Sequence, residues 1–265
     1  MMPIESRQNP VVKRIKKLNQ KKFRDEEKVF IIEGVRCLTE VMKKDYPIDT
    51  LLYSPGIKDK GELALLQFLI SKAERTIFVS DEIMEYVSPA KTSQKILAVV
   101  PKVRWKAEEV LSKGGYYLAI HQPSDPGNLG TLIRSATAFG CTGMILIGSS
   151  VEWFNPRTVR SSAGYILDMP YVNFKTVDEF LEAAKFNFRL VSFTPRGSEN
   201  HDKIGPVQNT IYIMGGETAG IDAKIEQSSD AVLRIPMESR IESLNLAISG
   251  SIVLHEVYNK LKQKC

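Results

Sequence analysis

From residue 116 onward the chain alternates short, almost wholly apolar runs with stretches of helical spacing. No other feature constrains the fold as tightly. The runs are YYLAIHQ (116–122), GMILIG (143–148), MPYVNF (169–174), RLVSFT (189–194), TIYIMG (210–215) and AVLRIP (231–236). Each is bounded by turn residues and too short for a typical helix, so each reads as a strand. Near-continuous apolar strands joined by helical crossovers predict a parallel sheet covered on both faces.

A smaller alternation precedes it. VFIIEG (29–34), IDTLLYS (48–54), TIFVS (76–80) and ILAVV (96–100) read as strands. The intervening VRCLTEVMKKD carries Val35, Leu38 and Met42 on one side of a helix, and ELALLQFLISKAE and EIMEYVS also read as helices. These elements predict a small α/β sandwich ending near Lys102. The polar stretch KVRWKAEEVLSKGG (102–115) reads as a linker. The expected organisation is therefore two domains, 1–105 and 113–265, which suits a chain of 265 residues.

Hydrophobic residues at 43% and charged residues at 25% place the chain in the globular range. No apolar run approaches the length of a membrane span. The basic start MMPIESRQNPVVKRIKK has no apolar segment after it, so no secretion signal is expected and the expected location is cytoplasmic. Cys37, Cys141 and Cys265, like His121, His201 and His255, are scattered without metal-ligand spacing. Neither a metal site nor a disulfide framework is expected.

Residues 1–28 carry nine basic side chains against four acidic ones, which is the whole formal excess of +5. A basic segment of this kind points to phosphates, and Lys13, Arg14, Lys17, Lys21 and Arg24 are the candidate nucleic-acid contacts. A solvated helix face is the bland alternative, since a charge patch supplies only the non-specific part of such binding.

Three stretches leave a strand through glycine or polar residues, where open parallel sheets bind ligands. In HQPSDPGNLGTLIRSATAFG (121–140), a punctuated loop leads into a helix with Leu129, Leu132, Ile133, Ala136 and Phe139 on its apolar face. Arg134 points away from that face, where burial habits favour an ordinary solvated arginine. The loop lacks the G-x-G-x-x-G fingerprint, which argues against a Rossmann dehydrogenase. In IYIMGGETAGI (211–221), Gly215 and Gly216 would let a ligand approach the backbone, and Glu217 stands beyond a strand end. An ordinary turn with an exposed carboxylate explains that stretch as well. In IPMESRIESLNLAISGSIVLHEV (235–257), Ser243 and Asn245 stand at a helix start, where simple capping is the alternative. That helix is apolar on two sides, with Ala247, Ile248 and Ser251 opposite Leu246, Gly250, Val253 and Val257. One side can meet its own sheet, and the other calls for a second body.

Taken in order, DPGNLGTLIRSATAFG, IMGGETAGI and IPMESRIESLNLAISGSIVLHE resemble the three signature motifs of the SpoU–TrmH branch of the SPOUT methyltransferases. These are RNA ribose 2′-O-methyltransferases. NPRTVRSSAGYILDMPYV (155–172) is similar to the segment the family has there. SRQNPVVKRIKKL and FIIEG resemble an RNA-binding domain related to a small ribosomal protein. The resemblance implies a trefoil knot in the carboxyl-terminal domain, an exception to the rule against knots. It also implies S-adenosylmethionine as cofactor, no metal, and a homodimer through that domain, which would cover the second face of the last helix.

Gly215, Gly216, Ile235 and Leu244 match cofactor-contacting positions, largely through backbone. Asn128, Arg134, Glu217, Ser243 and Asn245 match the active-site polar positions. Thr218 departs from the glycine that many members have there. The implied reaction is methylation of a ribose 2′-hydroxyl, in large-subunit rRNA by preference because of the extra amino-terminal domain. A tRNA substrate and a non-catalytic RNA-binding protein are the alternatives. A guanidinium with a pKa above ~12 is a poor base, so the role expected of Arg134 is a clamp on the target phosphate.

Overall fold

The computed structural model describes residues 2–185, 187–205 and 207–263. The chain opens with α1 (Pro10–Lys17) and α2 (Lys21–Glu27). It continues through β1 (Val29–Glu33), α3 (Val35–Lys43), β2 (Ile48–Tyr53), α4 (Lys60–Lys72), β3 (Ala73–Phe78), α5 (Asp81–Val87) and β4 (Ile96–Pro101). Next come α6 (Ala107–Leu111), β5 (Tyr116–His121), α7 (Pro126–Ala138), β6 (Gly143–Ile147), α8 (Pro156–Ser161) and β7 (Tyr171–Phe174). The last elements are α9 (Val177–Ala184), β8 (Arg189–Phe193), β9 (Glu199–Asn200), β10 (Thr210–Gly215), α10 (Ala223–Ser228), β11 (Ala231–Arg234) and α11 (Leu246–Lys262). They form two units: residues up to Val103 with Glu152–Leu167, and Arg104–Val151 with the chain from Asp168 onward.

The first unit is built on a four-stranded sheet in the order β1-β4-β2-β3. β4 runs antiparallel to both β1 and β2, and β2 pairs with β3 in parallel. The helical spacing of α1 and α5 puts Val12, Ile15, Ile83, Met84 and Val87 against Ile31, Leu52 and Val99 of the sheet. Burying each such side chain stabilises the unit by about 1.5–3 kcal/mol.

The segment 152–167 belongs to this unit, although the sequence reading assigned it to the domain 113–265. Phe154 lies against Phe30 with ring centroids 4.6 Å apart. A Cβ on Gly164 would meet the Glu40 side chain at 2.9 Å, so only glycine lets this segment lie so close to α3. Arg24 is 2% exposed, donates to the Leu18 carbonyl at 2.7 Å and pairs with the Glu152 carboxylate through two nitrogens. Lys102 donates to Asp25 at 2.6 Å and to Glu152 at 3.4 Å. Arg24 is therefore not a free RNA contact; it fastens a distant segment. Nothing in the spacing of 152–167 could show which neighbour it would choose.

The second unit carries a seven-stranded sheet in the order β7-β6-β5-β10-β8-β11-β9, with every pairing parallel. All six expected strands are present, and the two-residue β9 is too short for a sequence pattern to reveal. One face packs Tyr117, Ala119, Ile145, Ile211 and Ile213 with Phe180 and Ile225. α7 and α11 pack together: a Cβ on Gly250 would strike the Leu132 side chain, and the Ser135 and Ser251 hydroxyls are 2.8 Å apart. The stretch read as a linker contains α6, whose Val110 is 1% exposed and joins this core. The two faces of α11 differ, since Val253, Leu254 and Val257 are buried while Ile248 is 54% exposed. Cys37 and Cys141 are buried and free, and Cys265 lies outside the described residues. Among the described residues no helix is long and apolar enough to cross a membrane, and no cluster of side chains could hold a metal ion.

Candidate active site

The strand order brings the first two motifs together. β5 and β10 are neighbours in register, so His121 and Gly215 pair at their carboxyl ends. The chain leaving β5 then crosses against the chain leaving β10. The Gly216 N–H donates to the His121 carbonyl at 2.7 Å, and His121 Nδ1 lies 2.8 Å from the Gly220 carbonyl. A Cβ on Gly216 would overlap the Gln122 carbonyl, and one on Gly215 would overlap the backbone of Gly220. Glycine is thus required here by the approach of chain to chain. The sequence reading had attributed it to the approach of a ligand.

Glu217 follows directly and binds the first motif. Its Oε1 accepts from the Asn128 side-chain amide at 2.6 Å. Its Oε2 accepts from the Ser124 N–H at 3.0 Å and the Ser124 hydroxyl at 2.8 Å. Asn128 Oδ1 in turn accepts from the Asn245 amide at 3.0 Å. Asn245 also caps α11, its Oδ1 accepting from Ala247 N at 2.9 Å and Ile248 N at 3.3 Å. The capping alternative and the site placement are both true of this residue. A single hydrogen-bonded chain, Ser124–Glu217–Asn128–Asn245, therefore ties all three motifs.

Burial pushes the Glu217 carboxyl up, but hydrogen bonds from Asn128 and Ser124 outweigh it and hold the group below the usual carboxylate range. The group is kept ionised and serves as an acceptor with defined orientation.

A cavity of about 450 Å³ opens beside this chain. That is within the ~300–1,000 Å³ of small-molecule sites. Gly215, Gly216, Glu217, Ile235, Ser243, Leu244 and Asn245 all line it. Its lining combines apolar side chains with two carboxylates, Glu217 and Glu226, the Arg196 side chain and several polar groups, and it lies beyond the carboxyl ends of parallel strands. Asn128 reaches it through Glu217 and Asn245. Arg134 is exposed on α7 and is not part of the lining. Ser124, Thr194, Arg196 and Met237 were not singled out from sequence. Thr194, Arg196 and Met237 line the cavity, and Ser124 holds Glu217. Thr194 and Arg196 follow the end of β8, so the strand-end rule could have found them.

Of the proposed RNA contacts, Lys13, Lys17 and Lys21 are exposed. Arg14 is tied to Glu27 at 2.7 Å and to Asp49 at 2.7 Å, which raises its pKa further and occupies most of its fork.

An all-parallel α/β unit with a cavity at its strand ends, in a chain that also carries a small α/β unit, describes a two-domain protein with a small-molecule site. Residues 115–255 match the SpoU rRNA Methylase family and residues 9–98 match the MRM3-like substrate binding domain. This chain belongs to the SpoU rRNA methylase family. It is 29% identical to the 23S rRNA (guanosine(2553)-2′-O)-methyltransferase RlmP of Bacillus subtilis, across 97% of this chain and 99% of that protein. It is 27% identical to a 23S rRNA (uridine(2479)-2′-O)-methyltransferase of Streptomyces viridochromogenes, across 86% of this chain and 81% of that one. The crystal structure of an AdoMet-bound rRNA methyltransferase from Sinorhizobium meliloti superposes with a TM-score of 0.87 at 27% identity, covering 98% of each chain.

Proposed function

We propose that this protein methylates a ribose 2′-hydroxyl of RNA, using S-adenosylmethionine, and that large-subunit rRNA is its substrate. The observation that carries the reading is the hydrogen-bonded chain Ser124–Glu217–Asn128–Asn245 along one edge of the cavity. When bound, S-adenosylmethionine supplies an electrophilic methyl on a sulfonium. The cavity suits such a group: Ile235 and Leu244 offer apolar walls, and an ionised Glu217 favours a cationic ligand. With its oxygens occupied by three donors, Glu217 orients and attracts; it is not a free base.

Ser243 and Asn245 position the ribose or the cofactor, and Arg134 clamps the target phosphate. A planar fork suits that clamp better than a point charge. Because Arg134 faces outward on α7, its site is completed by a second copy of the chain. The exposed Ile248 on the outer face of α11 supports a homodimer through the carboxyl-terminal domain. The trefoil knot and a cytoplasmic location belong to the same reading. Residues 1–105 act as the RNA substrate-binding domain, with Lys13, Lys17 and Lys21 facing the phosphates.

The test combines calorimetry with complementation. Without added metal, the folded protein binds S-adenosylmethionine, and Arg134→Ala keeps that binding while losing methyl transfer by orders of magnitude. Mixing Arg134→Ala chains with Glu217→Ala chains restores part of the activity. Full activity in the Arg134→Ala protein returns that arginine to an ordinary solvated side chain.

A further inference from the structure

The segment 152–167 does more than close the core of the first unit. Between β1, the loop 89–94 and α8 it helps form a second cavity, of about 820 Å³. Lys91 comes from the loop and Arg157 and Arg160 from α8, and all three are exposed at the cavity wall. The two arginines stand three residues apart, so they share one side of the helix. The helix itself is fixed: Thr158 and Val159 are buried beneath it, and Asn155 caps it by accepting from the Arg157 N–H at 2.9 Å.

The one acidic lining residue, Glu33, is already engaged. Its carboxylate accepts from the Ser88 hydroxyl at 2.7 and 2.9 Å and from the Gln94 N–H at 2.9 Å. It fastens the loop that carries Lys91. The rest of the lining is Gln94 and Ser161 with Pro89, Ala90 and Pro156, over the buried Ile31 and Val159, and no aromatic side chain is among the described lining residues.

We propose that this cleft is a docking site for the sugar-phosphate backbone of RNA, assembled by the substrate-binding domain together with α8. The inference rests on RNA being the substrate, and it names a contact surface separate from Lys13, Lys17 and Lys21. Lys91 and Arg160 are exposed on walls held by Glu33 and by the buried side of α8, and with Arg157 beside them they face a row of phosphates with positive charge. Gln94 and Ser161 add the polar groups that position a backbone without reading its sequence. A protein partner would instead favour an aromatic anchor, and the described lining holds no aromatic side chain while its exposed charged side chains are mostly cationic. α8 lies in the chain between β6 and β7 and falls outside the match to the substrate-binding domain. Its presence here makes part of the methylase region a component of RNA capture.

The test uses the full chain and an unmodified large-subunit rRNA transcript. The double variant Lys91→Gln/Arg160→Gln is compared with the wild type across a salt series. Each phosphate contact contributes a slope of about 0.7–0.9 in log K against log salt. Losing two should flatten the slope by about 1.4–1.8 and weaken binding at low salt by about tenfold or more. Both side chains are exposed, so thermal unfolding and S-adenosylmethionine binding should stay unchanged. Lys91→Arg/Arg160→Lys, which keeps the charges, should retain the slope. An unchanged slope and affinity in the neutral variant, with the wild type binding the transcript, overturns the cleft and leaves the proposed reaction standing. The same holds if the neutral variant loses only a protein that co-purifies with the wild type. A wild type that binds S-adenosylmethionine but not the transcript overturns both the cleft and the rRNA substrate.

Discussion

The amino-terminal helices and the cavity of the second unit both present polar side chains that look functional in sequence, and the fold uses them differently. In the helices the basic residues divide. Lys13, Lys17 and Lys21 stay in solvent, while Arg14 pairs with Glu27 and Asp49 and Arg24 disappears beneath the segment 152–167. At the cavity, side chains more than a hundred residues apart meet in one hydrogen-bonded chain. A count of charges measures how much potential a segment can generate, but not which way any side chain points. Polar residues placed beyond strand ends are different, because a parallel sheet sends all those ends to the same side.

The sharpest way to break this comparison is Arg24→Met. Removing one partner of a buried ion pair costs about 3–5 kcal/mol. Denaturant unfolding should show that loss in Arg24→Met, whereas Lys21→Ala should stay within ~0.5 kcal/mol and instead flatten the salt dependence of RNA binding. An Arg24 variant of normal stability but poor RNA affinity would restore Arg24 as a contact. A smaller effect is expected from Asn245→Ala, which removes the cap of α11 and should cost about 1 kcal/mol. It also frees Asn128 Oδ1, so its methyl transfer should fall more than its stability. Equal losses would make Asn245 a cap alone.

The smallest effect concerns pH. The Glu217 carboxyl sits below its ordinary value, so it adds stability above the unfolded carboxylate pKa of about 4.3, and that stability is lost as pH falls through the folded value. Asn128→Ala removes one of the donors holding it down. Its titration, followed by carboxyl NMR, should then move upward towards the ordinary value. An unmoved titration would mean that Ser124 alone holds Glu217.

Much of this was legible in the sequence because it depends on period and order. Six parallel strands and the apolar face of α7 follow from spacing, and the strand-end rule gathers Glu217, Ser243 and Asn245. What stayed hidden depends on partners that no local pattern specifies. The fate of Arg24 needed Glu152, 128 residues away. The need for Gly215 and Gly216 came from the crossing of two backbone segments. Val110 of the linker stretch found a core that its polar neighbours disguised.

The central claim is that three separated segments make one methyl-transfer site. The whole chain is incubated with methyl-labelled S-adenosylmethionine and unmodified large-subunit rRNA, and the label is mapped by mass spectrometry. The account predicts label on the ribose 2′-oxygen of a defined nucleotide. It also predicts that Glu217→Gln still binds S-adenosylmethionine while transfer falls by about 10²-fold, the scale of a misplaced reacting group. Label on a base, or no cofactor binding by the folded protein at millimolar concentration, would contradict it.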